Sequence, residues 1–122
     1  MPYKILSETS YQRVDLWGQA TKWDVIQAIL ELRQKDPVKA KPDLWVLDEE
    51  VVVPLAEYGA MAATSTDDLP ADFRGAPTAV VVNNKLQYEM AKLYREQMKT
   101  APFELEIFLD MASAEEWITH QD

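Results

Sequence analysis

Two hydrophobic periods alternate along this chain, and that alternation limits its fold more than any other feature. Residues 3–7 and 11–16 read as strands, the second placing Gln12, Val14 and Leu16 opposite Tyr11, Arg13 and Asp15. Only Glu8, Thr9 and Ser10 join them, so they form a hairpin with the first strand antiparallel. Gly18 ends the second strand, and Thr21 with Asp24 opens a helix through a capping-box pattern. In that helix Asp24, Gln27, Glu31, Gln34 and Lys35 share a narrow polar stripe. Trp23, Val25, Ile26, Ala28, Ile29, Leu30 and Leu32 fill the rest, an apolar face wide enough to pack deeply on a sheet. Asp36-Pro37 stops it.

Residues 43–48, Asp-Leu-Trp-Val-Leu-Asp, have the apolar run of a covered central strand. A helix over 54–63 begins at Pro54, where a missing N–H is tolerated, and the polar stretch 64–75 reads as a loop. Residues 78–82 form a third β-branched run. Asn84 with Gln87 caps a helix to about Met98, in which Leu86, Met90, Leu93, Tyr94 and Met98 form the apolar stripe and Lys85, Lys92, Arg95 and Lys99 face water. Residues 104–109 alternate Glu104 and Glu106 with Leu105 and Ile107, an edge-strand pattern. Asp110 caps a last helix carrying Ala114, Trp117 and Ile118. The order ββαβαβαβα predicts one α/β domain over residues 1–122. Its sheet is mixed and mostly parallel, with the first strand antiparallel, and its core uses Ile26, Leu30, Trp45, Val80, Val82, Leu93 and Trp117.

Composition removes several function classes. The 122 residues hold no Cys and a single His, His120, so disulfides, thiolate chemistry, His triads and multi-His metal sites are set aside. A net charge of −9 argues against nucleic acid, whose binding rests on Lys and Arg meeting phosphates. Residues 44–63 are the most apolar stretch, but Asp48, Glu49, Glu50 and Glu57 interrupt it, so no membrane span is expected. Residues 1–10 lack an apolar signal core, and a cytoplasmic location is the default expectation. Charge is segregated: residues 43–73 hold 8 acidic and no basic groups, and residues 74–99 hold 5 basic and 2 acidic. Such blocks either give the folded surface opposed potentials or disperse as solvated faces.

The strings Trp17-Gly18, Thr21, Asp24 and Asp43-Leu44-Trp45-Val46-Leu47-Asp48 resemble the second strand, first helix and third strand of small bacterial SpoIIAA-like proteins. Thr78-Ala79-Val80-Val81-Val82-Asn83, Tyr88, and Phe108-Leu109-Asp110 followed by Ala114-Glu115-Glu116-Trp117-Ile118 fit the same pattern. The resemblance spans nearly the whole chain as an order of elements. It implies the fold shared by STAS domains, which regulate protein partners, and CRAL/TRIO domains, which bind apolar ligands. Sporulation-type antagonists carry a phosphorylatable Ser at the start of the helix after the third strand. Here that segment is Pro54-Leu55-Ala56-Glu57-Tyr58-Gly59, without Ser or Thr, and Thr64, Ser65 and Thr66 come about two turns later. The resemblance therefore implies a binding domain without the phosphoserine switch.

Candidate binding residues cluster after two strands. Asp48, Glu49 and Glu50 close the strand over 43–48, at the sheet edge where open α/β proteins bind ligands. Hard cations favour clustered carboxylates, and Asn83 or Asn84 could add an oxygen, but no recognised metal spacing accompanies them and a solvated acidic turn is the favoured reading. Asn83 and Asn84 could hold an anion at a helix N-terminus or serve only as its cap. Tyr88, Tyr94, Trp23, Trp45 and Met90 could line an apolar pocket, but their spacing fits core positions. Pro2 raises a remote enzymatic alternative, a tautomerase using an N-terminal proline amine as base; such proteins repeat a βαβ unit that this chain lacks. The expectation is thus a non-enzymatic binding or regulatory module acting through protein contacts, with no catalytic residues, metal or cofactor. The alternative is a domain for a small apolar or lipid ligand. Self-association through an edge strand, 12–16 or 104–109, would mark the first reading; because 104–109 is acidic, a homodimer is expected to use helices or the first hairpin.

Overall fold

The computed structural model describes residues 2–8, 10–35, 41–53, 57–66, 77–99 and 104–120. Five strands lie side by side in chain order: β1 (Tyr3–Ser7), β2 (Gln12–Leu16), β3 (Asp43–Leu47), β4 (Thr78–Val81) and β5 (Leu105–Phe108). β1 runs antiparallel to β2, and every later pair is parallel. Helices α1 (Lys22–Lys35), α2 (Tyr58–Thr66) and α3 (Lys85–Gln97) connect the parallel strands, and α4 (Met111–Thr119) follows β5. Each crossover moves the sheet one strand in the same direction. Right-handed crossovers of that kind put their helices on one face, and α1, α2 and α3 do pack against one another there. Among the described helices, only α4 covers the opposite face.

The pleat sorts the side chains accordingly. One transverse row, Ile5, Val14, Trp45, Val80 and Ile107, crosses all five strands. Val14 and Trp45 are buried under α1 through Ala28 and Ile29. On the other face Leu44, Ala79 and Val81 meet Ala114 and Ile118 of α4, and Phe108 stacks obliquely on Trp117 at 5.7 Å. Burying an aliphatic side chain such as Leu44 or Ile118 contributes roughly 1.5–3 kcal/mol. Two tyrosines tie the outer layers to the hairpin side of the sheet: Tyr3 Oη donates to Glu31 of α1 at 2.6 Å, and Tyr11 Oη to Glu115 of α4 at 3.0 Å. Burial, and then the neighbouring carboxylate, push both phenols up to about 12.

Local chemistry sets the helix starts. The Asp24 carboxylate accepts from the Thr21 N–H at 2.7 Å and its hydroxyl at 3.0 Å. Asn84 and Asp110, both extended, accept from the Gln87 and Ser113 N–H groups. Gly18 turns the chain after β2 with φ 62°, a left-handed conformation that glycine adopts without strain.

Several sequence expectations shift. Trp23 is 68% exposed, and Leu30 and Leu93 are 41% and 42% exposed, so none of the three is core. The α1 contact is narrower than its composition suggested: Ala28 and Ile29 are buried, while Val25, Ile26 and Leu32 are only partly covered. In α3 the buried stripe runs through Gln87, Met90 and Ala91, which turns Leu86 and Leu93 to its flanks. Val80 and Trp117 pack as half-buried residues at cluster margins. β2 is not an edge strand, because it lies between β1 and β3. Arg13 and Asp15 are half-buried because α4 does not cover that part of its face, and they pair with each other at 2.7 Å. Thr64, Ser65 and Thr66 belong to α2, not to a loop. The expected features at Asp36-Pro37, Pro54 and residues 67–75 lie outside the described residues.

Candidate functional site

Sheet order decides what the carboxyl ends of the strands can offer. A ligand crevice in an open α/β sheet opens where successive crossovers depart in opposite directions. Here β2 to β5 follow one another without reversal, so no such crevice lies beside β3. The loops at that edge instead pack on one another, and a buried glutamine holds them.

Gln87 is fully buried in the first turn of α3. Its Nε2 donates to the carbonyls of Asp48 at 2.5 Å, Val51 at 3.1 Å and Glu49 at 3.3 Å. Its Oε1 accepts the Asn83 N–H at 2.7 Å. Asn83 Nδ2 donates to the Leu47 carbonyl, and Asn84 Nδ2 to that of Glu49 at 3.0 Å. Asp48 closes its own turn by accepting from the Glu49 N–H at 2.9 Å. The structure therefore brings Asp48, Glu49, Asn83 and Asn84 together, as a clamp between the β3 and β4 loops. The amides of Asn83 and Asn84 and one Asp48 carboxylate oxygen are spent on the backbone, whereas Glu49 takes part through its main-chain carbonyl and its side chain is exposed. Among the described residues no three Asp, Glu or His side chains converge to hold a metal ion. Tyr88 stands apart, half-buried on α3 with Lys92 Nζ 5.3 Å from its ring centre.

Glu50 goes elsewhere. Its Oε1 accepts the Gly18 N–H at 3.2 Å and so links the β3 loop to the β2 loop. Between these loops lies a half-open cleft of about 540 Å³, lined by Gly18, Gln19, Ala20, Thr21, Trp23, Glu50, Val52 and Glu57. Trp23 stands in the first turn of α1, about 140° around the helix from Ala28 and about 120° from Ile29, so it points away from the face that packs on the sheet, as Leu30 does. Lys22 Nζ lies 4.8 Å from the Trp23 ring centre and 3.9 Å from Glu57. The sequence offers Trp23 as a pocket residue and Glu50 as a binding residue, but reading Trp23 as core hides the cleft. The helical period puts Trp23 on the opposite side from Ala28 and Ile29, which is the usable signal.

A second polar group sits at the opposite edge. Ser7, Gln12, Asp43 and Thr78 are register partners across β1 to β4. Ser7 donates to Gln12 at 2.9 Å, and Asp43 accepts from Trp45 Nε1 at 2.5 Å and Thr78 Oγ1 at 2.9 Å. Desolvation pushes the Asp43 carboxyl up to about 6, against the two hydrogen bonds that favour its ionised form. His120, at the end of α4, meets the Glu116 carbonyl at 2.7 Å and is far along the chain from either group. No helix among the described residues is long and apolar enough to cross a membrane.

No family model matches the sequence, and no curated protein matches it. Among solved structures it is similar to an uncharacterized protein of the DUF3478 family from Shewanella loihica PV-4, described as having a SpoIIAA-like fold. That likeness has a TM-score of 0.55 at 15% identity, covering 95% of this chain and 91% of the other. With the five-stranded mixed sheet and its four helices, it shows that this chain has a SpoIIAA-like α/β fold.

Proposed function

We propose that this chain is a non-enzymatic binding module that engages a protein partner through the carboxyl-end edge of its sheet. One observation carries the reading. Of the seven large apolar side chains exposed among the described residues, five follow the ends of parallel strands: Trp17, Trp23, Val52, Leu86 and Leu109. Single exposed apolar residues are ordinary, but their collection along one edge marks an interaction surface. Strand addition is less favoured, because Pro2 and Lys4 guard the β1 edge and Glu104 and Glu106 guard β5. The apolar-ligand reading has weaker support. Such a ligand needs an enclosed apolar site of roughly 300 Å³ or more, whereas the cleft is half-open and carries Glu50 and Glu57.

A photo-crosslinking residue placed at Val52 or Leu109 should give a discrete protein adduct in cells. The same residue at Arg13, on the sheet face that α4 leaves bare, should not. Equal adducts at all three positions would refute the reading. So would a co-purified apolar molecule in native mass spectrometry, or tautomerase turnover lost on changing Pro2.

A further inference from the structure

The cleft beside α1 joins an aromatic wall to two carboxylates. Trp23 supplies the wall, Val52 and Ala20 add apolar surface, and Glu50 and Glu57 supply the charge. The chain already shows what such a surface attracts, since its own Lys22 ammonium sits between the Trp23 ring and Glu57. An ammonium or guanidinium over an indole is attracted by the negative face of the ring. An anion is disfavoured despite the adjacent helix N-terminus, because Asp24 already occupies the Thr21 N–H and the cleft carboxylates would repel it. A bare metal ion lacks a converging third ligand among the described residues. The volume suits an organic side chain, and the exposed Asp48 and Glu49 on the adjoining loop add to the negative charge of Glu50 and Glu57.

We infer that the cleft receives an arginine side chain from the partner, stacked on Trp23 and paired with Glu50 or Glu57, with Lys22 as its intramolecular competitor. The inference rests on the binding-module reading and names the chemistry of the partner segment. Arginine suits the site better than lysine, because its planar fork stacks on an aromatic face while also meeting a carboxylate. Its methylenes can lie along Val52.

The test is a backbone-amide and indole NMR titration with the blocked tripeptides Gly-Arg-Gly and Gly-Leu-Gly. Saturable shifts at Gly18, Gln19, Thr21 and the Trp23 indole should appear with the arginine peptide and not with the leucine peptide. Lys22→Ala should tighten that binding severalfold, a gain that a misfolded variant could not produce. Glu50→Gln with Glu57→Gln should weaken it severalfold, with the amide spectrum otherwise unchanged. Equal response to both peptides, or binding unchanged or weakened by Lys22→Ala, would overturn the inference. Adducts at Val52 in the crosslinking experiment would then still uphold a protein-binding edge, so the two failures are distinguishable.

Discussion

Replacing Gln87 tests whether the candidate residues at the strand ends are a clamp and not a ligand site. In Gln87→Leu the shape is nearly kept and four hydrogen bonds are lost. Two of the affected carbonyls keep other donors: that of Asp48 accepts the Val51 N–H at 3.1 Å, and that of Glu49 accepts Asn84 Nδ2. The Val51 carbonyl and the Asn83 N–H lose the partners that Gln87 gave them. The buried Val51 carbonyl left unsatisfied costs about 1–3 kcal/mol and the more accessible Asn83 N–H about 1 kcal/mol or less, so we expect a loss of about 1–4 kcal/mol. Gln87→Glu is the sharper probe. One oxygen can still accept from Asn83, but the other would face three carbonyls, so the buried carboxyl is driven toward its protonated form. Its folded pKa is raised, and its stabilising protonated form is lost as pH rises through that value. Gln87→Glu should therefore fall below Gln87→Leu near neutrality and recover on acidification. Urea unfolding followed by tryptophan fluorescence at several pH values measures both. A Gln87→Leu loss under about 0.5 kcal/mol, the scale of ordinary surface changes, or a Gln87→Glu variant without pH dependence, would refute the clamp.

Asp43 gives the wild-type chain a related signature: its folded pKa of about 6 lies above the 3.8 of an ordinary aspartate, so its favourable protonated state is fully present below about pH 4 and lost as pH rises through about 6. Two units would be about 3 kcal/mol, and partial exposure of the residue reduces this to about 1–2 kcal/mol; Asp43→Asn should recover that amount at pH 7, seen as a raised urea midpoint. Asp110→Ala removes the acceptor for the Ser113 N–H at 2.7 Å and should cost about 1 kcal/mol in the same assay. Gly18→Ala finds open space for its Cβ but a strained positive φ, and should cost about 1 kcal/mol through the backbone alone.

The architecture was legible because it rests on local rules. The alternation of Gln12, Val14 and Leu16, the covered run around Trp45, and the caps at Thr21, Asn84 and Asp110 each act within a few residues, and each stands as expected. The misreadings arise where distance along the chain decides. The helix α1 is apolar nearly all round, so its pattern does not say which apolar residues meet the sheet, and Trp23 lies opposite the packed Ala28 and Ile29. Periodicity also cannot show that a polar residue heads the buried stripe. Gln87 was legible as a capping partner of Asn84, yet most of its bonds cross to residues 36–39 positions away. Asp43 was hidden similarly, since its partner Thr78 comes from the neighbouring strand.

The same sheet order that removes the crevice also creates the surface. With α1, α2 and α3 on one face, successive loops at the carboxyl edge are neighbours, and several of their polar groups are taken up in mutual hydrogen bonds. Gln87, Asn83 and Asn84 seal the β3–β4 side, and Glu50 bridges the β2–β3 side. Around these bonds project the apolar and aromatic side chains of Trp17, Trp23, Val52, Leu86 and Leu109, beside the exposed carboxylates of Asp48, Glu49 and Glu50. A site that encloses a substrate needs convergent polar groups free to act on it. On the proposed binding-module reading, this edge turns part of its polar groups inward and leaves an apolar and acidic rim for the partner, the pairing that an arginine-bearing segment would meet.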